Sequence, residues 1–365
     1  MSYRMQSDRT EHPCRRHRDG RCVATLVLAL VISCCAWTRP AFSQDKPGTQ
    51  RVGVAKLTPK VKASITRGLA YLAKPGIQHE DGSWGSSSTP VAETSLSLMA
   101  FMLKGYVPGR GSYGRKMDNG IVYLINRGKA QRGFLGSPKN HAGMYEHGLA
   151  ILALSEAWGQ SKNPHLRSTL RKAVDITLRS QNKEGGWRYT PKPLDADLSM
   201  TVMQLVALNS AKESGIAVPD KTMQQATKYV LSCQDQTSGG FKYTAGGSGP
   251  GFARTAAGVM SLIMCGQRGH KATLRGLAFL KAYPDATKFS KNCSRFHYSH
   301  YYAIQAMYQS GGANFQAWYP KVASTILSMQ KADGSWTGGH GTVYSTSLSI
   351  LILGVPYRYL PIYQR

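Results

Sequence analysis

Six residues recur at one register of the chain, and several carry groups able to move protons or hold charge: Thr94, His147, Thr201, Thr255, His300 and Thr346. They are spaced by 53, 54, 54, 45 and 46 residues, and are preceded in turn by Glu93, Glu146, Met200, Arg254, Ser299 and Ser345. Imidazole changes charge nearest neutrality, so His147 and His300 with Glu93, Glu146 and Arg254 would suit proton transfer or the grip of a charged headgroup. Tyr145, Phe252, Tyr298, Tyr301 and Tyr344 fall at the same level and would offer a ligand aromatic faces. A structural reading of the same positions stands beside this one. Thr and Ser cap helix starts, His bonds a neighbouring carbonyl, and aromatics fill a core.

The elements that must position these residues follow from the repeat. Each copy reads as an amphipathic helix, a glycine-aromatic loop and an apolar helix opening with Thr or His. The loop appears as Asp81-Gly82-Ser83-Trp84, Gly133-Phe134, Gly185-Gly186-Trp187, Gly239-Gly240-Phe241 and Asp333-Gly334-Ser335-Trp336, and the fifth copy lacks it. Leu170, Ala173, Val174, Thr177 and Leu178 make a helical stripe with Arg171, Lys172, Asp175 and Arg179 between them, the pattern of an outer helix half-exposed to water. Segments 148–154 and 347–353 are apolar nearly all round and read as inner helices. Six such hairpins close most simply into an all-α fold, an α/α toroid over residues 61–357 with inner helices around a central cavity. The equivalent starts of the inner helices would then point at one mouth, with the second and fifth repeats facing each other.

The run from Lys172 through Gln181 to Gly185-Gly186-Trp187 resembles the glutamine-tryptophan motif of squalene and oxidosqualene cyclases. Ser328-Met329-Gln330 with Gly334-Ser335-Trp336 repeats it, and Gln78 with Gly82-Ser83-Trp84 is a looser copy. The chain therefore resembles the prenyltransferase and squalene-cyclase repeat family over about residues 60–355. In that motif the glycine permits a tight turn, while the ring and the amide tie one helix end to its neighbour.

Each chemistry of the resembled superfamily implies residues that can be sought here. Protonating cyclases use Asp-x-Asp-Asp-Thr, and Asp195-Ala196-Asp197-Leu198-Ser199 keeps two of its carboxylates. A coupled pair in an apolar site could hold a proton at neutral pH, although Asp197 also suits the N-cap of the helix that follows. The zinc ligands of the protein prenyltransferases correspond to Arg295, His297 and Ser345, so neither zinc nor another cofactor is expected. Cys293, His297 and His300 lack a fourth ligand nearby, and the thioester signature of complement-type domains is absent. The resemblance implies a cavity for an isoprenoid, lipid or other extended apolar ligand. Toroids also serve carbohydrate enzymes, and a polysaccharide hydrolase or lyase would draw its acids and bases from Glu93, Glu146 and Asp197. A non-catalytic binding role at the cell envelope is the third reading.

Residues 1–43 read as an export signal. Arg15, Arg16, Arg18 and Arg21 precede an apolar run from Val23 to Ile32, and Ala41-Phe42-Ser43 offers a cleavage site. The run is shorter than the ~20 residues of a spanning helix. A lipoprotein processed at Cys34 is an alternative to cleavage after Ser43. Residues 44–60 read as a flexible linker and 358–365 as a tail. Losing seven Lys/Arg and three Asp/Glu with the leader lowers the net charge from +27 to about +23. That charge favours an anionic envelope polymer or lipid, or simply solvates the surface. No basic-aromatic run suggests nucleic acid.

Overall fold

The computed structural model describes residues 57–85, 88–138, 141–293, 295–357 and 360. These fall in the compact unit Gln50–Arg365. The expected leader, the Cys34 lipidation site and all of the linker up to residue 56 lie outside the described residues.

Six helical hairpins form the toroid. The outer helices are α1 (Pro59–Leu72), α3 (Gly111–Ala130), α5 (Leu166–Arg179), α7 (Asp220–Ser232), α9 (Lys271–Ala282) and α12 (Gly312–Met329). The inner helices are α2 (Pro90–Leu103), α4 (Gly143–Ala157), α6 (Leu198–Glu213), α8 (Phe252–Met264), α11 (Phe296–Ser310) and α13 (Thr342–Gly354). A one-turn helix, α10 (Asp285–Lys288), stands in the fifth repeat where the glycine-aromatic loop is missing. Helix α5 buries Leu170, Ala173, Val174 and Thr177 and leaves its charged residues outside. Helix α13, which holds the apolar segment 347–353, is buried from Ser345 through Gly354, as a helix apolar nearly all round must be. Among the described residues no helix is long and apolar enough to cross a membrane.

Four of the loops fasten one repeat to the next. The indole N–H groups of Trp84, Trp187 and Trp336 donate to the carbonyls of Leu72, Thr177 and Ile326 at 2.7–2.8 Å. Each tryptophan thereby caps the end of its own outer helix, where carbonyls lack helical partners. The amide of Gln181 donates to Gly185 and onward to Thr222 of α7, at 2.8 and 3.0 Å. Gln78 and Gln234 make the same paired bonds, reaching Lys116 of α3 and Ala272 of α9. Gln330 closes the ring by reaching Ser64 of α1 at 3.0 Å. Across the same seam the hydroxyls of Ser97 on α2 and Ser347 on α13 lie 3.1 Å apart. The structure is thus a closed toroid, not an open solenoid with exposed apolar ends.

Candidate functional site

The recurrent Thr and His sit one turn inside the inner helices, not at their first residues, and they face the loops. The hydroxyls of Thr94, Thr201, Thr255 and Thr346 accept the backbone N–H of Trp84, Trp187, Phe241 and Trp336 at 2.9–3.1 Å. His147 does the same for Leu135 through Nδ1, at 3.1 Å, while its Nε2 lies 3.1 Å from the carbonyl of Ala173. Both ring nitrogens are committed to backbone. His300 Nε2 lies 2.6 Å from the carbonyl of Lys288 in α10, with the ring among Phe252, Phe289, Phe296 and Trp318. Burial pushes both imidazoles down to about 4. The expectation that these positions open toward the cavity is therefore corrected: they are latches between helix and loop.

The cavity lies on the other side of the inner helices. An α-helix turns about 100° per residue, so positions two residues either side of a latch lie roughly opposite it. Two residues before the latches come Ala92, Tyr145, Ser199, Ala253, Tyr298 and Tyr344, and two residues after come Leu96, Leu149, Met203, Ala257, Tyr302 and Leu348. Ten of these twelve, all but Ala253 and Ala257 of α8, line a cavity of about 500 Å³. The first set forms an upper ring rich in hydroxyls; the second, one turn deeper, gives a largely aliphatic floor. Tyr301, Arg254, Glu146, Tyr189, Tyr243, Arg295 and His340 complete the walls and lip.

Of the residues singled out from the sequence, the cavity brings together Glu146, Arg254, Tyr145, Tyr298, Tyr301 and Tyr344. It does not bring in the others. Phe252 packs against Tyr283, His300 and Trp318. Glu93 is buried with its carboxylate against Gly85. Asp195 is a surface residue, its side chain 64% exposed, 3.5 Å from Arg188 Nε. Asp197 is fully buried and caps α6, accepting from the backbone N–H of Met200 at 2.9 Å and pairing with Arg188 Nη1 at 3.1 Å. Burial raises its carboxyl above the usual range, against the pull of the Met200 N–H and the Arg188 charge.

Tyr189, Tyr243, Tyr302 and His340 were not legible as site residues, and Arg295 stood out only against the zinc position of the prenyltransferases, yet two of the tyrosines had a signal. Tyr189 and Tyr243 each stand two residues after a loop aromatic, Trp187 and Phe241. Their hydroxyls are hydrogen-bonded to each other. The Arg188 guanidinium donates to the Tyr243 hydroxyl at 3.3 Å and lies over both rings at 4.9 and 5.4 Å. This cluster joins the third and fourth loops into one lip.

Electrostatically the cavity is neutral hydroxyl, positive at its lip. Burial raises Tyr298 to about 12 and holds Tyr145, Tyr301, Tyr302 and Tyr344 well above the usual phenol range, so these phenols stay protonated and can each donate and accept. Glu146 is the one carboxylate among the lining residues. Its Oε1 accepts from the Val91 N–H at 3.2 Å and its Oε2 from the Ser137 N–H at 2.8 Å, which ties the second repeat to the start of α2. Neither Arg254 nor Arg295 has an acidic partner among the described residues. No group of three or more His, Cys, Asp or Glu able to hold a metal ion occurs among the described residues.

No family model matches the chain, and no curated protein is similar to it in sequence. Solved structures are similar to it in fold. The α-1,6-mannanase GH76A of Salegentibacter sp. HEL1_6 superposes with a TM-score of 0.59 at 10% identity, covering 81% of this chain and 97% of that one. An inactive variant of the same mannanase in complex with α-1,6-mannotetrose gives 0.58 at 8% identity, over 82% and 99%. A D-mannose isomerase gives 0.58 at 15% identity, over 80% and 96%. At these identities the likeness is one of architecture, and the chain shares with these carbohydrate-active proteins the α/α toroid fold.

Proposed function

We propose that the protein binds a polysaccharide chain in the central cavity. The observation that carries this is the ring of neutral tyrosines at the mouth. A phenol offers a flat face suited to the C–H side of a sugar and a hydroxyl suited to its polar edge, the combination a carbohydrate site requires. Support comes from the toroid fold, which in the mannanase holds a mannooligosaccharide. The export signal expected over residues 1–43 would deliver the chain to a compartment where such polymers are found. Cleavage by a carboxylate pair across an open cleft is less well served, because Glu146 lines the cavity while Asp197 is buried behind Arg188.

Affinity electrophoresis through gels containing neutral and acidic polysaccharides tests the reading. Retardation by at least one polymer is expected, reduced by Tyr145→Ala and Tyr344→Ala. Chromatography of the same mixtures would reveal shorter oligosaccharides if the protein is a hydrolase or lyase, and loss of such products in Glu146→Gln would assign that carboxylate a catalytic role. A second reading, an extended apolar ligand of the kind the cyclase resemblance implies, is favoured by the floor of Leu96, Leu149, Met203 and Leu348. Mass spectrometry of a co-purifying lipid, with no retardation by any polysaccharide, would put that reading first.

A further inference from the structure

We propose that a smaller pocket beside the main cavity is an oxyanion subsite, which receives the carboxylate, sulfate or phosphate substituent of an acidic sugar held in the main cavity. The sugar part of this proposal rests on the carbohydrate reading above. The pocket measures about 240 Å³ and lies between the start of α11 and the loop that leads into α13. Arg295, Tyr298, His340 and Tyr344 line both spaces, so a ring seated among the tyrosines would meet the smaller pocket across one shared wall.

Several buried side-chain polar atoms have no hydrogen-bond partner among the described residues, and three of them belong to residues lining this pocket. They are Nε2 of His297, a residue 7% exposed, Oγ of Ser345, 1% exposed, and the hydroxyl of Tyr298. Buried polar groups are almost always bonded, so three orphans gathered at one small pocket mark a place for a ligand. The His297 and Ser345 side chains converge on Gly338, where a Cβ would lie 2.7 Å from Ser345 Oγ and 3.3 Å from His297 Nδ1. Any larger residue there would crowd both.

The charge of the pocket selects an anion. Lys291 and Arg295 line it, and no carboxylate does. Helices α11 and α13 both begin at this place without a side-chain cap, so their free N–H ends add positive potential. Arg295 holds a left-handed backbone, φ +53°, which a non-glycine residue adopts at a cost and which sets its side chain at the lip of both spaces. Burial first, and His340 second, push the His297 imidazole down to about 4, so it is neutral at physiological pH and can offer Nε2–H to an oxyanion as an uncharged donor.

Isothermal titration of the full-length chain tests this with a panel of uronate oligosaccharides, each compared with its own methyl ester, and with inorganic sulfate. The free acids are expected to bind about tenfold more tightly than their esters, the scale of one or two hydrogen bonds to a charged group. Ser345→Ala and His297→Gln should each erase most of that preference while leaving ester affinity and thermal unfolding unchanged. Equal binding of acid and ester, with both variants silent, overturns the subsite and leaves the carbohydrate reading standing. Sulfate that shifts the His297 ring signals in NMR, with no oligosaccharide bound, overturns the sugar-borne source and the carbohydrate reading together. No response to either probe overturns the anion chemistry itself.

Discussion

Gln330 and Ser64, 266 positions apart, form a reciprocal pair: the Gln330 amide donates to the Ser64 carbonyl at 3.0 Å, and the Ser64 hydroxyl donates back to Gln330 Oε1 at 2.8 Å. Arg67 also donates to Gln330 Oε1. This is the only one of the four glutamine ties that joins the last repeat to the first among the described residues. Gln330→Ala removes the donor to the Ser64 and Gly334 carbonyls and the acceptor of the Ser64 hydroxyl, and should cost about 1–3 kcal/mol, as should Gln181→Ala within the chain. Urea unfolding compares the two. If Gln330→Ala is silent while Gln181→Ala is not, the ring is open in solution.

Trp187 is fully buried and its indole N–H caps α5 at Thr177. Replacement by Ala should cost on the order of 3–5 kcal/mol, the range for deleting a large buried aromatic. Trp187→Phe keeps most of the volume and loses the indole hydrogen bond, leaving the Thr177 carbonyl only the Ser180 N–H at 3.1 Å, a loss of about 1 kcal/mol. Thermal unfolding reads both, and the ordering Ala well above Phe is the expected result.

Gly334 sits at φ +91°, and a Cβ there would fall 2.5 Å from the Arg67 carbonyl oxygen. Gly159 has a similar φ of +86° with nothing within 4 Å. Gly159→Ala should therefore cost only the backbone strain, about 1–2 kcal/mol, whereas Gly334→Ala adds a clash with the neighbouring helix. Chemical denaturation of the two variants is expected to show the larger loss for Gly334→Ala. Equal losses would mean that the loop moves off α1 without penalty.

His147 and His300 are neutral in the fold, with imidazoles held at about 4 by burial. In the unfolded chain an ordinary imidazole titrates near 6.5. Between those values the unfolded chain binds more protons, so stability rises with pH. The stability these groups contribute is complete above about pH 6.5 and is lost as pH falls toward 4. Denaturation at a series of pH values should show that slope, and His147→Gln should flatten part of it. A profile unchanged in the variant would show that His147 takes up its proton in the folded state as readily as in the unfolded one.

Much of the architecture was written in the chain. The regular recurrence of the Thr and His positions, the charged stripe of α5 and the apolar runs 148–154 and 347–353 of α4 and α13 determine six hairpins with outer and inner members, because burial on one face or on all faces leaves its mark in composition. The glutamine and loop-aromatic positions determine the ties between repeats, since only a few side chains can cap a helix end and reach the next one. Sequence also brought Tyr145, Tyr298, Tyr301, Tyr344, Glu146 and Arg254 to the right level. What the tertiary structure alone decided is which face of each inner helix meets the cavity. A shift of two residues rotates a side chain by about 200°, and on helices apolar all round nothing in the pattern marks one side as the inside. The latches of Thr94, Thr201, Thr255, Thr346 and His147 to loop backbone fix that rotation, turning the histidine outward and the tyrosines inward. Bonds between a side chain and a backbone N–H 10 to 14 residues away form only once the hairpins are packed, so the site belongs to the assembled ring.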